Sequence, residues 1–124
     1  IGLRPRMLGG VCVSSWVPAA PGLRAGDEVP DWMVWAALDC GSAGPAIDLV
    51  QRHEAVLTGE LIADLRRPAL VGSDLRLSSR AISQDGRRIV TEVALLEGRE
   101  IVAVARATWI TVDRNFLECI AEAR

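Results

Sequence analysis

The sequence contains no lysine and no tyrosine, and only one asparagine (Asn115), one phenylalanine (Phe116) and one histidine (His53). These shortages exclude whole reaction classes. Without lysine there is no Walker A phosphate loop and no Schiff-base or pyridoxal-phosphate catalysis, and without tyrosine the Tyr/Lys proton relay of short-chain dehydrogenases cannot be built. Neither a GxGxxG nor a GxSxG pattern occurs. No apolar run approaches the roughly 20 residues that span a bilayer, and no signal-peptide pattern opens the chain. A cytoplasmic protein with no membrane partner is therefore expected. Cys12, Cys40 and Cys119 are odd in number and too widely spaced for a zinc site or a disulfide framework. They read as reduced thiols acting as small buried apolar side chains, and no metal is expected.

The basic residues are present but not concentrated. All 14 are arginine, interleaved along the chain with 16 acids for a net charge of −2, so no basic stripe marks a nucleic-acid partner. Any phosphate-bearing ligand must be held by guanidinium groups or backbone amides. Half of the 124 residues are apolar, which suits one domain over 1–124 with its own core. The chain opens at Ile1 rather than Met, and Gly2-Leu3-Arg4 reads as the tail of a preceding element.

Periodicity divides the chain into a strand, a helix and a run of strands. Met7–Val17 is β-branched enough for a first strand, ended by Pro18; residues 19–30 hold two prolines and two glycines and form a connection. Asp31 is the expected N-cap of a helix from Trp32 to about Ala43, where Gly41, Gly44 and Pro45 stop or kink it. In the next segment Leu57, Gly59, Leu61, Ala63 and Leu65 form one face and Thr58, Glu60, Asp64 and Arg66 the other. Strands then follow over Leu75–Ser83, Ile89–Leu96 and Ile101–Val112, with hairpin signals at Asp85-Gly86 and Glu97-Gly98. A short helix over Asn115–Ala123 closes the chain. Gly59, Ala63, Ala103, Ala105 and Ala107 are small enough to let the sheet curl closely round the helix.

One residue breaks the helical pattern. In Val34-Trp35-Ala36-Ala37-Leu38-Asp39-Cys40 a carboxylate stands in an otherwise apolar segment. An unpaired buried carboxylate costs several kcal/mol or is neutralised, so Asp39 is expected to be paired, water-linked or employed in chemistry. A structural role, with the carboxylate bonded to a neighbouring strand or a partner subunit, is the alternative.

The element order is that of the α+β hotdog fold, an antiparallel sheet wrapped round a central helix. Trp35-Ala36-Ala37-Leu38-Asp39-Cys40, then Leu65-Arg66-Arg67-Pro68 with Val71-Gly72, then Gly86-Arg87-Arg88, and finally Ala103 to Trp109 resemble the PaaI-type acyl-CoA thioesterase branch over roughly residues 7–113. The resemblance is to a bacterial-like family. It implies hydrolysis of an acyl-CoA-type thioester at a dimer-interface site, in a homodimer or tetramer, with Asp39 as the catalytic carboxylate and no cofactor beyond the coenzyme A of the substrate. The family starts this helix with His-Gly-Gly, where this chain has Pro30-Asp31-Trp32. The oxyanion donors are then the backbone N–H groups of Trp32 and Met33. Candidate substrate contacts are Trp35, Leu38, Gly59, Leu61 and, for the coenzyme A phosphates, Arg66, Arg67 and Arg88. A medium-chain or aryl acyl group suits the apolar inward faces. The departure at the helix start motivates the alternative, a non-catalytic hotdog domain that binds an acyl or aromatic small molecule or acts as an assembly scaffold.

Geometry bears on the same point. Asp39 lies seven residues beyond Trp32, about 10.5 Å along a helix axis, so one helix cannot offer both groups to one carbonyl. The amide must come from a second subunit. The segment Asp48 to His53 has the Asp-x4-His spacing of hotdog hydratases, but it follows the helix and lacks their Asn-Pro; it reads as a solvated connector. Trp32 and Trp35 are assigned to core or interface packing, and Trp16 and Trp109 to the core.

Overall fold

The computed structural model describes residues 3–122. Six antiparallel strands form one sheet: β1 (Arg4–Leu8), β2 (Val11–Trp16), β3 (Glu54–Leu65), β4 (Leu75–Asp85), β5 (Arg88–Glu97) and β6 (Glu100–Asp113). Their spatial order is β1-β2-β4-β5-β6-β3, which leaves β1 and β3 as edges. One long helix, α1 (Asp31–Leu49), packs on one face of the sheet, and a short helix, α2 (Arg114–Glu122), follows β6. This is the expected hotdog arrangement.

The first strand expected over Met7–Val17 is instead a hairpin. Leu8 pairs with Val11, so the loop is Gly9-Gly10, and both glycines have positive φ (58° and 84°). A two-residue loop with two such residues matches the right-handed twist of its strands and reverses the chain. The later hairpins keep their expected places, with Gly86 and Gly98 at positive φ as the first of two loop residues. The terminal helix runs over Arg114–Glu122; Ala123 lies outside the described residues.

The helix also departs from expectation at both ends. Pro30 is the N-cap and Asp31 the first helical residue, where its charge favours the positive end of the helix dipole. Downstream, α1 runs on through Gly41, Gly44 and Pro45 to Leu49. Those residues do not stop it because they serve packing. A Cβ on Gly44 would sit 2.6 Å from Cys12 Sγ, and one on Gly41 3.1 Å from Leu77, so the glycines let the helix approach the sheet. Pro45 has no N–H for the Gly41 carbonyl. Ser79 Oγ on β4 supplies the missing donor, at 2.7 Å.

Met33, Val34, Ala37 and Leu38 face the sheet and form the main core with residues such as Leu77, Leu95 and Ala103. A second cluster joins Ala46 to Ile89, Ala107 and Trp109. Trp16 and Trp109 are buried as expected, with Trp109 Nε1 donating to Thr91 Oγ1 at 3.0 Å. Of the three cysteines only Cys12 is buried; Cys40 and Cys119 lie on outward helix faces and are exposed. No helix among the described residues is long and apolar enough to cross a membrane.

Candidate active site

The core-facing residues of α1 recur at 33, 34, 37, 38, 41, 42, 45 and 46, and this fixes what points away. Trp32, Trp35 and Asp39 fall on the outward side, one helical turn apart. Trp32 is 67 % exposed and Trp35 38 %, so neither packs in the core of the chain. Asp39 is half-buried. Its Oδ1 accepts a hydrogen bond from Thr58 Oγ1 at 2.9 Å, and its backbone carbonyl accepts one from the buried Ser42 Oγ, also at 2.9 Å. Its Oδ2 has no hydrogen-bond partner among the described residues.

Thr58 reaches Asp39 because of an irregularity in β3. The pairing with β6 slips between Thr58 and Glu60, so Gly59 is an extra residue in the strand. A Cβ at Gly59 would lie 3.2 Å from the Ile110 side chain, which would have to give by a few tenths of an ångström. The extra residue reverses the pleat: Leu61, Ala63 and Leu65 keep the inward face, while Leu57 turns out to 45 % exposure and Thr58, itself still exposed, takes the helix side of the sheet, opposite the buried Trp109. Strict alternation places Leu57 on the helix side and Thr58 on the outer side, and the bulge exchanges the two sides. The signal that finds Thr58 is the glycine in mid-strand, which marks a bulge.

The other sequence candidates divide. At the start of α1 the Met33 N–H is committed to the Pro30 carbonyl at 3.0 Å, whereas the Trp32 N–H has no acceptor among the described residues. Leu38 is fully buried in the core and presents no surface to a ligand; Leu61 is half-buried at the same core. Arg66 pairs with Asp64 at 3.1 Å, and Arg67 with Glu97 at 2.7 Å and Glu100 at 3.3 Å. Both follow β3 and bond the Val102 carbonyl, while Arg88 lies opposite Ile110. Eight residues of β6 separate those levels, about 27 Å, so within one chain Arg88 cannot share a ligand group with Arg66 and Arg67. Asp48 falls in the last turn of α1, and exposed His53 lines a shallow hollow of about 430 Å³ with Arg87 and Phe116. Among the described residues no cluster of three or more metal-ligating side chains occurs.

The arrangement offers a carboxylate anchored through one oxygen with the other free, beside an open helix flank and an open sheet edge. Such a group can take a proton from water or attack an electrophilic carbon.

No family model and no curated protein sequence matches the chain. Solved structures do. A phenylacetic acid degradation-related protein from Ralstonia eutropha JMP134 superposes with a TM-score of 0.78 at 24% identity, over 88% of this chain and 84% of that one. A thioesterase superfamily protein from Shewanella loihica PV-4 gives 0.70 at 24% identity, over 88% and 90%. A Bacillus halodurans protein, solved with CoA, gives 0.73 at 19% identity, over 88% and 73%. The chain has the hotdog fold of these thioesterase-superfamily structures.

Proposed function

We propose that this protein hydrolyses an acyl-CoA-type thioester at a cleft between two copies of the chain, with Asp39 as its catalytic residue. The observation that carries the reading is the Asp39 carboxylate itself, held by Thr58 at 2.9 Å on the outward flank of the central helix. The thioesterase-superfamily neighbours and the CoA in one of them support the substrate class. With Oδ1 engaged by Thr58, Oδ2 faces the thioester. It accepts a proton as water adds to the carbonyl carbon, or it adds to that carbon itself and the resulting anhydride is hydrolysed. In both routes the C–S bond breaks and the thiol leaves. Negative charge on the carbonyl oxygen is met by the Trp32 N–H of the partner subunit, at the positive end of that helix. The apolar surroundings suit a medium-chain or aryl acyl group; a charged acyl terminus would be buried without a partner.

Asp39→Asn is isosteric and keeps the contact with Thr58. It is expected to lower turnover on the best acyl-CoA by about 10²–10⁴-fold, the range for a positioned acid or base, with mass and melting temperature unchanged. Wild-type turnover in this variant would refute the assignment.

A second reading has its own observation. Trp32 stands where glycine would allow close approach, and Met33 has already committed its N–H to Pro30. On this reading the cleft binds an acyl or aryl thioester without cleaving it. Acyl-CoAs that raise the melting temperature while remaining intact over hours would select it.

A further inference from the structure

The face of the sheet that points away from α1 is hollowed near its middle. Arg106 on β6, Glu92 on β5, Arg80 on β4 and Val11 on β2 lie directly opposite one another, with Ile62 of β3 on the other side of Arg106. Two residues along each strand, and so on the same face, Val104, Ala94 and Ser78 stand in register. Shorter than the arginines and the glutamate, they leave a hollow of about 610 Å³ above the sheet. Small-molecule sites span about 300–1,000 Å³, so the hollow has the size of one. Its apolar surface comes from Val104, Ala94, Val11 and Ile62, the last 61 % exposed.

The charges around it do not cancel. Arg80 Nε donates to Glu92 Oε1 at 2.6 Å, and Asp64, which also lines the hollow, is held by Arg66 at 3.1 Å. Arg106 has no ion-pair partner among the described residues. Three guanidiniums against two carboxylates leave one positive charge, and it stands between Ile62 on one side and the apolar floor at Val104. A guanidinium matches a carboxylate through two parallel N–H donors. A dianion such as a phosphate monoester would meet Glu92 and Asp64 at close range, whereas a monoanion makes the site neutral.

We infer that this outer hollow binds an apolar monocarboxylate, a fatty or aryl carboxylic acid in its ionised form, with the carboxylate on Arg106 and the apolar body over Val104 and Ala94 toward Val11. From β6 to β2 the hollow crosses three strand spacings, about 14 Å, which takes a medium-length chain or an aryl group on a short arm. The carboxylate gains charge-assisted hydrogen bonds, and the body covers apolar side chains that one chain leaves in water. The inference does not rest on the proposed reaction, since α1 and Asp39 lie on the opposite face of the sheet.

Titration calorimetry with decanoate on the whole protein tests it. Decanoate should bind, decanamide should bind about tenfold more weakly or worse because it lacks the charge, and inorganic phosphate should not compete. Arg106→Gln should weaken decanoate by about the same factor. Glu92→Gln should tighten it, because Arg80 is released to the same hollow. Ala94→Phe, which fills the floor from the solvent side, should abolish binding with the melting temperature unchanged. Decanoate that binds equally to wild type, Arg106→Gln and Ala94→Phe sits elsewhere, the Asp39 cleft included, and overturns the inference. Equal affinity for decanamide, competition by phosphate or no binding of decanoate overturns it as well. A change of mass in Ala94→Phe by light scattering would show a protein chain on this face in place of an acid, with the same consequence.

Discussion

At the scale of single residues, the proposed site depends on a hydroxyl that holds a carboxylate. Thr58 Oγ1 donates to Asp39 Oδ1, while Oδ2 has no hydrogen-bond partner among the described residues. Hydrogen bonds to charged groups contribute about 1.5–3 kcal/mol when shielded, and less at a half-open position such as this one. Thr58→Val, which removes the donor at equal volume, should lower kcat about tenfold with KM little changed, while Thr58→Ser should restore it. A merely structural threonine would shift the melting temperature instead and leave kcat alone. Asp39 stands out in the sequence as the one charge in the apolar segment from Val34 to Cys40. Thr58 does not, because its orientation is set by the extra residue Gly59, and a pattern of alternation carries no record of where it slips.

Among the elements, α1 shows why helix-breaking residues need not break a helix. Gly41, Gly44 and Pro45 read as a stop when only local propensity is weighed. Packing on the sheet outweighs that propensity, because the glycines let Cys12 and Leu77 come close and Ser79 takes the place of the missing N–H. Ser79→Ala should strip the buried Gly41 carbonyl of that donor and cost about 1–3 kcal/mol. Adding Pro45→Ala gives the helix back its own N–H, and much of the loss should return in chemical unfolding. Equal destabilisation in the single and double variants would contradict this role for Ser79. The order of elements and the sheet from β3 onward are legible in the sequence because their apolar periods are long and their turns carry glycine. The Gly9-Gly10 hairpin is not, since the residues on either side form one unbroken apolar, β-branched run.

For the molecule as a whole, the proposed reaction needs more than one chain to complete its site. α1 leaves Trp32 and Trp35 exposed on the side that carries Asp39, and β3, which holds Thr58, is an edge strand of the sheet. If Asp39 of each chain meets the Trp32 N–H of the partner subunit, two-fold symmetry runs the helices antiparallel and places the axis midway, beside Trp35 and Ala36. Trp35 is then covered at the seam.

The most direct measurement of the shared site is activity in mixed assemblies. Asp39→Asn removes the carboxylate, and Trp32→Pro removes the amide within the first helical turn, where no intrahelical hydrogen bond is lost. Each variant alone should be inactive, whereas Trp32→Ala, which keeps the amide, should retain activity. Co-refolded in equal amounts, the two inactive chains pair at random, and each mixed pair holds one intact site, built from Asp39 of one chain and Trp32 of the other. Thioester hydrolysis should then return to about a quarter of the wild-type rate. A mixture as inactive as its components, with mixed pairs present by mass, would show that Asp39 does not work with the helix of a second chain.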